Sequence, residues 1–271
     1  MSARAYLDAA GFSVYRTDDE RRCDTAIAEY NKGRDYHFER KYDQAIRRYD
    51  AAIRAWPKYP DPYYCRALIK EKNEDQAGAA ADYGYAIQHK KTFSAAYAKL
   101  GMIQIKQGNP EEAINNLTLA YRNFDETEVY LTIGRHIILR ALGDAYYALE
   151  KFDDAIAMYA EGLKLFAEDA VTLNGRGLAY MAKEDYAAAI RDFDEAIRYK
   201  SGYADPVRNK ARAEALAKGE TPAAAGAGGA AAASAPPTTS WERFRAFERA
   251  QRAKIEADLK LLETGAGAAD E

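Results

Sequence analysis

Five alanines, Ala45, Ala79, Ala113, Ala155 and Ala189, follow one another at intervals of 34, 34, 42 and 34 residues. Seven residues after each stands another small residue: Ala52, Ala86, Ala120, Gly162 and Ala196. Twelve residues before each comes a third: Gly33, Ala67, Gly101, Gly143 and Gly177. Small positions kept in register in this way mark an internal repeat. A repeat of that length is one supersecondary unit, and it buries its apolar face only by stacking on its neighbours. Four residues after each alanine, one helical turn on, lies a knob: Tyr49, Tyr83, Leu117, Tyr159 and Phe193. Helix axes approach closely only where the side chains at their crossing are small. Each unit is therefore read as a pair of antiparallel helices. Only eight prolines occur, three of them between Pro57 and Pro62 and three beyond residue 220, so most of the chain is free to run helix after helix.

Leu142-Gly143-x2-Tyr146 followed by Ala155-x3-Tyr159, and Gly33-x2-Tyr36 followed by Ala45-x3-Tyr49 and Pro57, carry a recognisable pattern. It resembles the tetratricopeptide repeat: W-x2-L-G-x2-Y, then A-x3-F, then P. The match departs at Ala67 and Lys70, and again at Gln104 and Leu117. The terminal proline occurs once, with Lys91, Asp125, Ala167 and Ser201 in its place elsewhere. The repeats are placed at 26–59, 60–93, 94–127, 136–169 and 170–203, about two-thirds of the chain. The resemblance implies an all-α fold, a right-handed solenoid of antiparallel helix pairs.

The 42-residue interval holds eight extra residues near Glu128 to Arg135, within Val129-Tyr130-Leu131-Thr132-Ile133 and Ile137-Ile138-Leu139. Eight residues are a little over two helical turns, so a lengthened helix keeps its buried face in phase. A long helix projecting beyond its neighbours is expected here, in preference to a bulging loop.

At the N-terminal end, residues 1–25 are read as a cap and the start of the first helix. Thr17-Asp18-Asp19-Glu20 has the form of a capping box with acidic residues in the first turn, and the helix is expected to run to about Glu39. A short helix over 2–16 is expected to cover the open end. Residues 26–218 comprise the five repeats and a polar capping helix from Asp205 to Lys218, because the last repeat of a stack otherwise exposes an apolar face. Residues 219–240, almost wholly Ala, Gly, Pro, Ser and Thr, read as a disordered linker. An amphipathic helix is expected over 241–263, capped by Ser240, with Trp241, Phe244, Ile255, Leu259 and Leu262 along one side. Arg243, Arg245, Arg249, Arg252 and Lys254 make its first half basic. It either folds back on the repeats or docks on another protein. A disordered tail follows over 264–271.

The formal charge of −3 sets up no large field toward nucleic acid or anionic lipid. Basic residues between Arg34 and Arg54 are interleaved with aromatics, but Asp35, Glu39, Asp43 and Asp50 break up any nucleic-acid platform. Cys23 and Cys65 have no paired spacing and read as reduced packing thiols. No apolar run suits a signal peptide or a membrane span, so a soluble, cytoplasmic protein is expected. His37, His89 and His136 share no metal-ligand spacing, and the Gly-rich tract at 226–229 lacks the Lys-Ser/Thr of a phosphate loop. Asp153-Asp154 and Glu111-Glu112 fall at helix starts, where carboxylates are favoured on structural grounds alone. No catalytic, metal or cofactor residue is expected.

By resemblance, the first helices of successive pairs line a concave groove that receives a peptide or helix of a partner protein. The residues implied there are Tyr30, Arg34, Phe38, Tyr64, Lys99, Met102, Arg140, Asp144, Tyr147, Asn174, Leu178 and Met181, joined by Cys65 and Ile105. Such aromatic, Met and Arg side chains tend to anchor interfaces. The function implied is a non-catalytic adaptor. One subset of the family grips chaperone tails through Lys and Asn in the first helix, Asn in the third, and Lys and Arg in the fifth. Here those positions are Tyr30, Arg34, Cys65, Ala95 and Lys99, so that clamp is not matched. Arg34 and Lys99 can still pair with another acidic peptide. Repeat one carries eight basic and five acidic residues, repeat four three and seven, a difference that a self-assembling homo-oligomer would exploit.

Overall fold

A computed structural model describes residues 17–124 and 133–220. Among them are eleven helices and no strand: α1 (Asp18–Phe38), α2 (Tyr42–Ala55), α3 (Pro60–Lys72), α4 (Gln76–His89), α5 (Ser94–Lys106), α6 (Pro110–Arg122), α7 (Arg135–Ala148), α8 (Phe152–Leu165), α9 (Ala170–Ala182), α10 (Tyr186–Tyr199) and α11 (Ala204–Ala217). The expectations for 2–16, for most of the 219–240 linker, for the 241–263 helix and for the 264–271 tail lie outside the described residues.

The capping box forms as expected. Thr17 Oγ1 accepts from the Glu20 amide at 3.2 Å, and Glu20 Oε2 accepts from the Thr17 amide at 3.0 Å. Within each pair the two helices are joined by three residues, the middle one left-handed: Arg40, Glu74, Gly108, Glu150 and Glu184, with φ between 58° and 79°. Each of these turns closes with the same bond, for example Lys41 N to Tyr36 O at 2.8 Å and Lys151 N to Tyr146 O at 2.9 Å. Such bonds satisfy carbonyls that the helix end leaves bare.

The small positions and the knobs meet as their register predicts. A Cβ built on Gly33 would stand 2.6 Å from Tyr49, one on Gly101 2.7 Å from Leu117, and one on Gly177 2.6 Å from Phe193. Tyr49, Tyr83, Leu117, Tyr159 and Phe193 are each no more than 2% exposed. Burying a side chain of that size stabilises by about 1.5–3 kcal/mol, so these knobs are the principal cores of the repeats. Charge is buried too: Arg176 grips Asp192 with two bonds of 2.7 Å, and Arg66 grips Asp82 at 2.8 and 2.6 Å while reaching Asp50 at 2.5 Å. Both cysteines are free thiols.

The long-helix expectation is corrected. α6 ends at Arg122 and α7 begins at Arg135, with Ile133 and its N-cap Gly134 outside the helix. The two helices are 13 and 14 residues long, like their counterparts in the other repeats. Other pairs are joined by four residues, as between Ala55 and Pro60, so all eight extra residues fall in the connection. α6 still packs on α7 as closely as α8 does on α9. Apolar, β-branched composition misled because an apolar residue can be buried outside a helix; Ile133 is 5% exposed without being helical.

α11, the last helix among the described residues, packs on α10. Its outward side carries exposed Ala211 and Val207, the latter 51% exposed, where a further second helix would otherwise sit.

Candidate functional site: the inner face of the first helices

Each second helix packs on the first helix of the next pair, and first helices also touch one another: α1 with α3, α5 with α7, α7 with α9, and α9 with α11. Second helices make no comparable contact with each other. In a curved stack the elements that come closest lie on the inside. The first helices therefore form the inner, concave face.

Side-chain bonds join this face from helix to helix. Cys65 Sγ on α3 lies 3.8 Å from Tyr30 Oη on α1, and Lys99 Nζ on α5 lies 3.2 Å from Glu71 Oε2 on α3. Arg140 Nη1 on α7 meets Asp169 Oδ2 at the start of α9 at 2.9 Å, and Asn209 Nδ2 on α11 donates to Asn174 Oδ1 on α9 at 2.9 Å. Residues far apart in sequence thus share one surface.

The implied groove residues divide into two groups. Tyr30 and Tyr64 are 5% and 3% exposed, covered by Tyr59 and Phe93 with ring centroids 5.3 and 4.9 Å away; Asn174 is 9% exposed. These three hold the stack together. Arg140 is half-buried and engaged with Asp169, which it helps hold as the N-cap of α9. Arg34 lies over the Tyr30 ring at 5.8 Å. Phe38 is 92% exposed, Asp144 is exposed, and Lys99, Met102, Ile105, Tyr147, Leu178 and Met181 are half-buried.

Electrostatics distinguish two acids of the fourth repeat. Burial pushes the Asp144 carboxyl above the usual range, against the pull of a 2.7 Å bond from Tyr159 Oη and the charge of Arg140. Asp144 is nonetheless wetted, as befits a residue on a concave floor, open to water on one side and ringed by protein on the others. Burial would also raise Asp169, but the Thr172 hydroxyl at 2.6 Å and the Arg140 guanidinium outweigh it and hold Asp169 below the usual range. Burial lifts the Cys65 thiol to about 11, so it is not a reactive thiolate. His37 is lowered by burial and by Lys72. Among the described residues no group of three His, Cys, Asp or Glu side chains comes together to hold a metal, and no helix is long and apolar enough to cross a membrane.

Sequence reasoning missed Glu71, Asn209 and Gly175 on this face. Glu71 shares the register of Ile105, Tyr147 and Met181, and Asn209 that of Cys65 and Lys99. Carrying each register through every first helix, cap included, finds all three, Gly175 lying in the register of Asn209.

Comparison with known proteins places this geometry. Among curated proteins the chain is 23% identical over 171 residues to the Hsp70-Hsp90 organising protein of Plasmodium falciparum (isolate 3D7), a match covering 62% of this chain but only 28% of that protein. Among solved structures it is similar to Pseudomonas aeruginosa pilF, with a TM-score of 0.60 at 16% identity, covering 73% of this chain and 86% of that one. It is also similar to YrrB, described as a TPR protein with an unusual peptide-binding site, with a TM-score of 0.58 at 17% identity, covering 78% and 98%. Identities this low speak for the fold alone. The tetratricopeptide repeat family itself matches residues 30–95, 92–168 and 140–204. With most of its length matched repeat by repeat, and with glycines facing knobs in four of the five pairs, the chain belongs to the tetratricopeptide repeat family.

Proposed function

We propose that this protein is a non-catalytic adaptor whose inner face receives a peptide or helix of a partner protein. Proteins of this family are generally protein-interaction adaptors and typically non-catalytic scaffolds. Arg34, Phe38, Lys99, Met102, Asp144, Tyr147, Leu178 and Met181 would make the contacts. Tyr30, Tyr64, Arg140 and Asn174 would hold the frame.

One observation carries this reading. Phe38, 92% exposed, and the exposed Asp144 share a face with half-buried Met102, Tyr147, Leu178 and Met181, contributed by four first helices, α1, α5, α7 and α9. Partly uncovered apolar side chains interspersed with charges are the make-up of a recognition surface. The peptide-binding site named for the structural neighbour YrrB is in keeping with it. Chaperone tails, which the name of the Plasmodium relative brings to mind, are not the favoured ligand, because Tyr30, Cys65 and Ala95 stand where the clamp needs Lys or Asn.

The test is capture of partners from lysate by the intact chain, by an Arg34→Ala/Phe38→Ala variant, and by an outer-face control, Tyr85→Ala. A partner lost with the inner-face variant and kept by the control supports the reading. The reverse pattern moves the site to the second helices.

A further inference from the structure

The two long edges of the array differ in charge. One edge gathers the turns within pairs; the other gathers the connections from each second helix to the next first helix. Nine residues after each repeat alanine, in the last turn of the second helix, stand Arg54, Gln88, Arg122, Lys164 and Arg198. Between these positions and the next first helix come Lys58, Lys90, Lys91 and Lys200, against two described acids, Glu168 and Asp169. Asp169 is already engaged by Arg140 and Thr172. Asp125, Glu126 and Glu128 also fall in the α6–α7 connection, outside the described residues, and the edge remains positive with them included. The matching stretches of the turn edge, 37–41, 71–75, 105–109, 147–151 and 181–185, hold seven acids and six bases. Helix dipoles do not explain the difference, because in each repeat either edge receives one helix start and one helix end.

The basic edge also leaves apolar side chains in water. Leu165 is 54% exposed, Phe166 46%, Tyr199 38% and Tyr121 37%, each within two residues of one of these cations. On the turn edge one large apolar side chain, Phe38, is exposed among the described residues. Arg54, Lys58, Lys91, Arg122 and Lys200 enter no ion pair with another described residue. Cations strung along an edge, with apolar side chains between them, suit a flat anionic surface, to which both kinds of side chain bind. We propose that this edge docks on an anionic membrane surface, its lysines and arginines against lipid headgroups and Leu165, Phe166 and Tyr199 inserted between them. The formal charge of −3 does not oppose this. Second helices of 13 or 14 residues hold the turn edge about 20 Å away, more than two Debye lengths of about 8 Å at physiological salt. A second copy of the chain fits the basic edge less well, because the turn edge is close to neutral. Nucleic acid would use Phe166 and Tyr199 for stacking but leaves Leu165 without a role. The proposal goes beyond the inner-face reading and does not rest on it.

The test is co-sedimentation of the intact chain with vesicles of phosphatidylcholine, alone or with phosphatidylserine added. Binding should require phosphatidylserine and fall steeply as salt is raised. Arg54→Gln/Lys58→Gln/Lys91→Gln should weaken it about tenfold or more, and Leu165→Ser/Phe166→Ser should weaken it comparably. A turn-edge control with the same change of charge, Arg40→Gln/Lys72→Gln/Lys106→Gln, should bind within about twofold of the wild type. A thermal melt of each variant confirms the fold. Failure of the wild type to bind phosphatidylserine vesicles overturns the proposal. So does equal weakening by both triple variants, which would reduce the effect to overall charge. Binding that survives the edge substitutions but is lost with Arg243→Gln/Arg245→Gln/Arg249→Gln overturns it too, placing the lipid contact outside the repeats. Binding of a single-stranded RNA oligomer without binding of vesicles would assign the edge to nucleic acid instead. None of these outcomes bears on the inner-face reading, which partner capture tests separately.

Discussion

Gly143 on α7 lies against the ring of Tyr159 on α8 so closely that a Cβ at Gly143 would come within 2.5 Å of Tyr159 Cε1. Helix propensity favours alanine over glycine by about 1 kcal/mol. Overpacking a buried ring costs more, so Gly143→Ala should destabilise the protein by about 1–3 kcal/mol. Tyr159 is 2% exposed and has little room to retreat. Gly84 on α4 is the control, because a Cβ there would meet nothing within 4 Å. Gly84→Ala should stabilise by about 0.5–1 kcal/mol. Urea unfolding of the two variants reads both signs; a Gly143→Ala protein as stable as the wild type would mean that the ring moves aside.

The Arg176–Asp192 pair tests how charge is tolerated inside the stack. Asp192 is 5% exposed and receives two bonds from the guanidinium. Arg176→Met should cost about 3–5 kcal/mol, because it strands a buried carboxylate. The double variant Arg176→Met/Asp192→Leu should recover most of that loss. A double variant no better than the single one, measured by denaturant unfolding, would assign the pair a net stabilising role.

Asp144 and Asp169 should make stability depend on pH in opposite senses. The folded state raises the pKa of Asp144, so its contribution favours folding below the ordinary carboxylate range and is lost as pH rises through the folded value. Asp169 is lowered, so its contribution is present above that range and is lost on acidification through the folded value. Relative to the wild type, Asp144→Asn should gain stability between about pH 3 and pH 7, and Asp169→Asn should lose it. Unfolding free energies across that interval decide the matter, and parallel curves for the two variants would contradict the assignment.

Phe38 separates folding from recognition. At 92% exposure it contributes little to the core. Phe38→Ser should leave stability within about 0.5 kcal/mol of the wild type. The same change should weaken any inner-face partner, as calorimetric titration with a captured partner would record. Loss of stability instead would mean that Phe38 packs on residues outside those described.

Much of the architecture was readable before any coordinates. The spacing of Gly33, Ala45 and Tyr49, and its recurrence, identified which helices pair and which side chains meet at their crossing. Thr17 and Glu20 marked the start of α1 to the residue. These signals are legible because they are local requirements of geometry. A helix crossing needs a small residue at one register position, and a helix start needs an acceptor three residues before a free amide.

The inner face was legible only as a list. Register placed Tyr30, Tyr64, Arg140 and Asp144 on one side of the stack but could not say which of them meet water. That depends on residues from other segments. Tyr59 and Phe93 cover two of the tyrosines, Asp169 engages Arg140, and Tyr159 from the neighbouring helix holds Asp144. The long helix expected around the insertion failed for a related reason: α7 starts only at Arg135, and an apolar residue such as Ile133 satisfies the pattern of a helix or of a connection equally well. The sequence by itself determined the repeat, because the repeat is enforced by contacts at fixed short separations along the chain. Only the tertiary structure decided which inward residues are core and which are surface, because burial is set jointly by neighbouring repeats whose side chains differ in size and charge.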